Sequence, residues 1–93
     1  MPTLIATTKY KKDIKRLESR GVDMELLDEV VDKIAAGEVL DDSYQKHDLK
    51  GERKGQIDIH IKPDWVLLYE PDTIEGLEVI FLRRTGTHAD LFE

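Results

Sequence analysis

Five residues in the second half of the chain have side chains suited to acid–base chemistry on a phosphodiester: His47, His60, Asp64, Arg84 and His88. Histidine titrates near neutrality and is the usual general acid or base. Cleavage of RNA by its own 2′-hydroxyl requires a base for that proton, an acid for the leaving 5′-oxygen and a cation for the phosphorane charge. Histidine, aspartate and arginine supply these groups without a metal ion. The alternative is that the histidines are ordinary surface or hydrogen-bonded structural residues.

The spacing of these residues predicts that several of them converge. His60 and Asp64 lie four positions apart at the end of a predicted strand, on the same side of the pleat if the strand continues. Arg84 leaves the last predicted strand close to the point where His88 begins the tail. In an antiparallel meander the end of one strand and the start of the next are neighbours. These side chains are therefore expected to lie close together.

Four further residues are predicted to contact the substrate: Lys62, Trp65, Arg83 and Phe92. Trp65 is a candidate for stacking on a base or for a place in the core. Phe92 is equally a candidate for stacking or for a hydrophobic anchor of the tail. Three histidines also suit zinc, but no two have the i, i+4 spacing of a helical site, so we predict no metal and no cofactor. GERKG (residues 51–55) has basic residues between glycines but lacks the setting of a phosphate-binding loop.

The elements that must position these residues begin with a strand and two helices. TLIAT (residues 3–7) is β-prone, and Thr8 is a candidate N-cap for a helix that ends at Gly21. Asp23 can cap a second helix, and Gly37 stops it. Apolar residues recur at helical spacing in both segments, so each helix presents one face to a core. With a very short link, the two helices are predicted to form an antiparallel hairpin.

Beyond a predicted loop over residues 38–53, the apolar period changes from helical to two. The predicted strands are QIDIHIK (residues 56–62), WVLLYE (65–70) and LEVIFLRR (77–84), separated by turns at PDW (63–65) and PDTIEG (71–76). In the first of them the isoleucines point to one side, and Asp58, His60 and Lys62 point to the other. The chain is thus predicted to be a single α+β domain over residues 1–93, with the order β-α-α-β-β-β. Both helices lie on one face of an antiparallel meander, which a short catalytic tail follows.

The charge of the chain is acidic but unevenly distributed. The net charge is −6; residues 9–20 carry six basic against two acidic side chains, and residues 21–42 carry eight acidic against one basic. This pattern indicates either two solvated helix faces, or a basic face for RNA with an acidic face turned away from it. There is no cysteine, no secretory signal and no apolar run of membrane-spanning length, which suits a cytoplasmic protein.

The strings HDLKG, IHIKPDWVLLYE and FLRRTGTHADLF closely resemble the YafQ-type toxins of the RelE/ParE superfamily, the toxin halves of bacterial type II toxin–antitoxin pairs. The resemblance is close over residues 47–92 and looser over the N-terminal strand and helices. It implies an antiparallel sheet packed on two helices and ribosome-dependent cleavage of mRNA in the decoding site. It also implies two partners, a cognate antitoxin and the 70S ribosome with its mRNA.

The resemblance further implies roles for individual residues. By this analogy His88 is the leading acid–base residue and Arg84 contacts the scissile phosphate. His47, His60 and Asp64 share the remaining proton transfer and orientation, with acid and base not distinguished. Two alternatives stay open: a ParE-like inhibitor of DNA gyrase, which has no need of this histidine set, and a non-catalytic antitoxin-binding relative. The acidic net charge departs from the basic character usual for toxins that dock on rRNA.

Overall fold

A computed structural model describes residues 2–92 as a mixed α+β fold, as predicted. The elements are β1 (Thr3–Ala6), α1 (Thr8–Ser19), α2 (Met24–Ala35), β2 (His47–Asp48), β3 (Ile57–Lys62), β4 (Trp65–Ile74), β5 (Leu77–Gly86) and α3 (His88–Phe92). Within these residues the strands form one sheet in the order β1-β5-β4-β3-β2. No helix in the described part of the chain has the length and apolar character needed to cross a membrane.

The two long helices begin at polar caps. The predicted cap Asp23 accepts a hydrogen bond from the Glu25 amide at 3.1 Å. The cap of α1 is Thr7 and not Thr8, because Thr7 has extended backbone angles and its hydroxyl accepts from the Tyr10 amide at 3.3 Å. A cap residue must lie outside the helix for its side chain to reach the first free amides. The one-residue difference therefore reflects the strand ending at Ala6.

The sheet is larger than the predicted meander. β3, β4 and β5 are antiparallel neighbours as expected, and β1 adds a parallel edge strand on β5. The predicted loop over residues 38–53 contains β2 and two 3₁₀ turns, Asp42–Tyr44 and Gly51–Arg53. These short pieces carry too few residues for a periodic pattern, so only pairing with β3 reveals the strand.

The predicted turn over residues 71–76 is mostly strand. β4 continues through Pro71 to Ile74, and only Glu75 and Gly76 separate it from β5. The pairing of β3 with β4 ends at Tyr69, so the far end of β4 has a free edge within the described residues. A free edge tolerates a proline, which has no amide hydrogen to donate. β5 likewise runs to Gly86, two residues beyond its predicted end.

The two faces of the sheet have different coverings. Apolar side chains of α1 and α2 pack on one face against the following sheet residues: Ile59, Trp65, Leu67, Tyr69, Ile80 and Leu82. On the opposite face Leu91 of α3 packs against Val66 and Leu68. Since alternate residues of a strand point to opposite faces, Asp58 and His60 lie on the α3 face. The histidine-bearing face is therefore the one with the lighter covering.

The predicted tail is a short helix held in place by its own acidic residue. Thr87 and Asp90 each accept a hydrogen bond from the other's amide, at 3.1 and 3.0 Å. Arg20, the C-cap of α1, donates twice to the Asp90 carboxylate, at 2.8 and 3.2 Å, and this contact holds the pKa of Asp90 well below its usual value. A Cβ added at Gly86 would lie 2.8 Å from an Asp90 oxygen, so the close approach requires glycine. α3 is thus fixed to both β5 and α1.

Candidate active site

The centre of the candidate site is a chain of three side chains from β3, the β3–β4 turn and α3. Asp64 Oδ1 accepts hydrogen bonds from the His88 amide at 3.2 Å and from His88 Nδ1 at 3.0 Å. His88 Nε2 lies 3.2 Å from His60 Nε2. The convergence of His60, Asp64 and His88 expected from spacing is therefore present. α3 accounts for it, because its first residue carries His88 onto the sheet beside the turn.

The hydrogen bonds restrict where the protons of this chain can be. The bonds from His88 lower the pKa of Asp64, so the carboxylate is ionised at neutral pH and Nδ1 of His88 carries a hydrogen. One further proton lies between the two Nε2 atoms, since two N–H groups cannot face each other at 3.2 Å. His60 Nδ1 is buried and has no hydrogen-bond partner in the described structure, so no contact fixes the tautomer of this ring. The geometry therefore places a donor nitrogen of one imidazole against an acceptor nitrogen of the other.

His47 extends the cluster along the sheet. Its ring centroid lies 6.1 Å from that of His60 in an edge-on arrangement. Its Nδ1 is 3.3 Å from Asp58 Oδ1, an ion-pair distance without the alignment of a hydrogen bond, so that oxygen has no hydrogen-bond partner in the described structure. Asp58 was not among the residues predicted to form the site. Its position two residues before His60 on the same strand face was the signal available.

The far side of the cluster is formed by Phe92 and Arg53. The Phe92 ring lies 6.0 Å from the His88 ring and is 43% exposed, so it has surface available for a base. The Arg53 guanidinium lies 5.3 Å from the Phe92 centroid and donates to the Leu91 carbonyl at 3.2 Å. Arg53 lies in the GERKG segment and was not among the predicted site residues. The imidazole rings, Phe92 and Arg53 thus form a continuous surface along this face.

Arg84 is engaged on the side facing α1. Its Nε and Nη2 donate to Asp13 at 2.6 and 3.1 Å, and Nη2 also lies 3.4 Å from the Asp90 carbonyl. Asp13 is 1% exposed and accepts the Thr85 amide as well, at 3.1 Å. This contact raises the pKa of Arg84 further above its usual value. The residue predicted to bind the scissile phosphate therefore holds a buried carboxylate.

Two of the predicted substrate contacts have other roles in the structure. Trp65 is buried on the helix face, and its indole N–H donates to the Thr85 hydroxyl at 2.9 Å, so the prediction that it stacks on a base is wrong. Arg83 pairs with Glu70 at 2.8 Å and lies over the Phe81 ring, so its guanidinium already has a carboxylate partner. Lys62 is exposed beside the β3–β4 turn, where a substrate contact stays a prediction.

Comparisons with known proteins agree with this fold and residue set. The family model for the bacterial toxin of the type II toxin–antitoxin system, YafQ, matches residues 3–93. The mRNA interferase toxin YafQ of Escherichia coli strain K12 is 36% identical over 84 residues, which cover 89% of this chain and 87% of that protein.

Two solved structures extend the similarity to the backbone. The E. coli DinJ-YafQ toxin–antitoxin complex matches with a TM-score of 0.85 and 32% identity over 99% of this chain and 98% of the other. A metal-bound toxin from Helicobacter pylori matches with a TM-score of 0.88 and 38% identity over 99% and 100%. These matches define the class of protein as the toxin half of a type II toxin–antitoxin pair. Within that class, the chain belongs to the YafQ family.

Proposed function

We propose that the chain is a ribosome-dependent endoribonuclease that cleaves mRNA by attack of the substrate's own 2′-hydroxyl. The observation that carries the proposal is the contact of His60 Nε2 with His88 Nε2, with Asp64 behind His88. A toxin that only binds gyrase or an antitoxin has no use for an acid and a base facing each other. The name of the E. coli relative, mRNA interferase, supports the same substrate.

The tautomers assign the direction of proton transfer. Asp64 holds a hydrogen on Nδ1 of His88, so the lone pair of neutral His88 is on Nε2, where it faces His60 Nε2 at 3.2 Å. In the proposed step the substrate enters between the two rings, and His88 Nε2 acts as the base for the 2′-hydroxyl. The 2′-oxygen then bonds to phosphorus and the bond from phosphorus to the 5′-oxygen breaks. His60, which the proposed step requires in its protonated form, gives its Nε2 proton to the departing 5′-oxygen. The products are a 2′,3′-cyclic phosphate and a 5′-hydroxyl, and no proton is left unaccounted for.

The remaining residues of the site have supporting roles in this proposal. His47 adds a third imidazole next to His60, where it contacts the substrate or replaces the proton given up. Phe92 stacks on a base, because nearly half of its ring is exposed beside His88. Arg84 acts as a positioning residue, since its guanidinium is committed to Asp13 and reaches α3 through the Asp90 carbonyl.

We further propose that a cognate antitoxin neutralises the chain, as DinJ is found with YafQ in the solved E. coli complex. The 70S ribosome presents the mRNA, and the basic stretch of α1 over residues 9–20 is the surface we assign to contact with RNA. The acidic net charge of the chain makes a localised basic patch necessary for such a contact.

The test is cleavage of a defined mRNA by the purified chain, with and without programmed 70S ribosomes, beside His88→Ala and His60→Ala. We expect cutting only with ribosomes, 2′,3′-cyclic phosphate ends, a bell-shaped pH dependence and a loss of about 10²–10⁴-fold in each variant. Val39→Ala is a matched control, because this side chain is 98% exposed. Growth arrest without RNA cutting, caused equally by wild type and His88→Ala, would exclude the nuclease mechanism and point to gyrase or another protein target.

A further inference from the structure

The arginine beside Phe92 and the histidines is Arg53, whereas the sequence indicated Arg84, whose guanidinium binds Asp13. Four arginines contact α3 in the described structure: Arg16, Arg20, Arg53 and Arg84. Three of them pair with Asp13 or Asp90. Arg53 has no carboxylate partner among the described residues. A phosphodiester carries a negative charge that a guanidinium binds well, with two parallel N–H groups.

The local backbone directs Arg53 to this place. Arg53 ends the 3₁₀ turn Gly51–Arg53, and the Gln56 amide donates to its carbonyl at 3.0 Å. Gly51 and Gly55 have φ of +69° and +94°, a left-handed backbone conformation that residues other than glycine rarely adopt. The two glycines of GERKG therefore form the bend that leads into β3 and places the intervening arginine over Phe92.

Arg53 also has donors to spare. A guanidinium has five N–H groups. The one hydrogen bond that Arg53 donates in the described structure runs from Nη2 to the Leu91 carbonyl at 3.2 Å. Its other contact is with the Phe92 ring, 5.3 Å from the centroid. The side chain is only partly buried, so RNA can reach it. The same ring lies 6.0 Å from His88, which brings Arg53 within one nucleotide's reach of the catalytic pair.

We infer that Arg53 binds the phosphate of the nucleotide whose base stacks on Phe92, next to the scissile phosphate. This assignment deepens the proposed nuclease function and rests on it for the identity of the substrate. Arg53 is a substrate-binding residue here, because it touches neither reacting oxygen. The contact with Leu91 keeps its guanidinium ordered before RNA arrives, which lowers the entropic cost of binding.

A structural role for Arg53, holding α3 through the Leu91 carbonyl, is distinguishable by three substitutions. Arg53→Gln keeps a donor for that carbonyl but has no charge. Arg53→Lys keeps the charge, and Arg53→Ala removes both. Lys54→Ala is the matched control, since the neighbouring Lys54 is exposed and carries the same charge.

The experiment measures equilibrium binding of a short 2′-O-methylated single-stranded RNA, which cannot undergo 2′-hydroxyl attack, at several salt concentrations. We expect Arg53→Ala and Arg53→Gln to bind about ten-fold more weakly, with Arg53→Lys in between and Lys54→Ala close to wild type. The slope of log affinity against log salt should fall by about 0.7 in Arg53→Ala, the value for one phosphate contact on a single strand.

Wild-type binding by Arg53→Gln, an unchanged salt slope in Arg53→Ala, or no binding by the wild type at low salt would overturn the assignment. The binding readout does not depend on catalysis. A protein that shows the Arg53 contribution but cuts no RNA, with or without ribosomes, would keep the phosphate site and lose the proposed nuclease mechanism.

Discussion

Asp13 is the residue whose removal should destabilise the fold most directly around the site. It is 1% exposed and accepts hydrogen bonds from Arg84 Nε at 2.6 Å, from Arg84 Nη2 at 3.1 Å and from the Thr85 amide at 3.1 Å. β1 pairs with β5 only as far as Leu82, so this carboxylate serves an amide that has no strand partner on that side. Asp13→Ala leaves that amide and the guanidinium without their acceptor.

The magnitude follows from these contacts. Removing one partner of a buried ion pair costs about 3–5 kcal/mol, which includes about 1–3 kcal/mol for a buried donor left unpaired. The Arg84 side chain is 21% exposed, so water recovers part of the loss and the lower end applies, about 3 kcal/mol. For a domain of this size each kcal/mol shifts the melting temperature by roughly 4–8 °C. We therefore expect Asp13→Ala to melt about 12–24 °C below the wild type.

The assay is thermal and urea unfolding of Asp13→Ala, Arg84→Ala and the double variant. The double variant should be less destabilised than the sum of the single variants, because it no longer contains an unpaired buried charge. Glu18→Ala is the control, since Glu18 is an exposed carboxylate on the same helix and should change stability by less than about 0.5 kcal/mol. A loss below about 1 kcal/mol for Asp13→Ala, or strict additivity, would refute the reasoning.

Two further predictions concern the groups that hold His88 in place. Arg20→Ala should loosen α3 and lower kcat by up to about 10²-fold, which is the effect of displacing a catalytic group by about 1 Å. In an Asp90→Asn background the same substitution should have little further effect, and full additivity of the two changes would contradict this coupling. The contact with His88 lowers the pKa of Asp64, so its stabilising effect is fully present above pH 3.8, the ordinary pKa, and is lost as the pH falls through the lowered pKa. NMR titration of the Asp64 carboxyl carbon should therefore have its midpoint below pH 3.8. A midpoint at or above pH 3.8 would show that the contact is absent in solution.

Several features of this protein are readable from local patterns. The alternation in residues 56–62 predicted which face of β3 carries Asp58 and His60, because side chains alternate along a regular strand. The pairing register shifts between His60 and Lys62, so the alternation does not extend to the predicted position of Lys62. Asp23, Gly21 and Gly37 marked helix ends correctly, since capping depends on residues within one turn. Residue type and spacing brought His60, Asp64 and His88 into the predicted site, and the resemblance carried by the C-terminal motifs supplied their expected roles.

Other features depend on residues far apart in the chain. Arg84 donates to Asp13, which lies 71 positions earlier in the chain, and no local sequence pattern indicates that this guanidinium has a carboxylate partner. The type of Trp65 left two alternatives, a place in the core or stacking on a base. Its hydrogen bond to a buried hydroxyl 20 positions away selects the core. Tertiary packing selects among partners that sequence spacing leaves equivalent.

The candidate active site combines both kinds of information. The residue types suited to acid–base chemistry, the strands that carry them and the turn at Asp64 follow from the order of the amino acids. The 3.2 Å contact of His60 with His88 requires α3 to dock on the sheet through Leu91, which in turn depends on Arg20 and Asp90. Packing and ion pairs between distant segments therefore bring the two imidazoles into contact, because only the folded chain places those segments side by side.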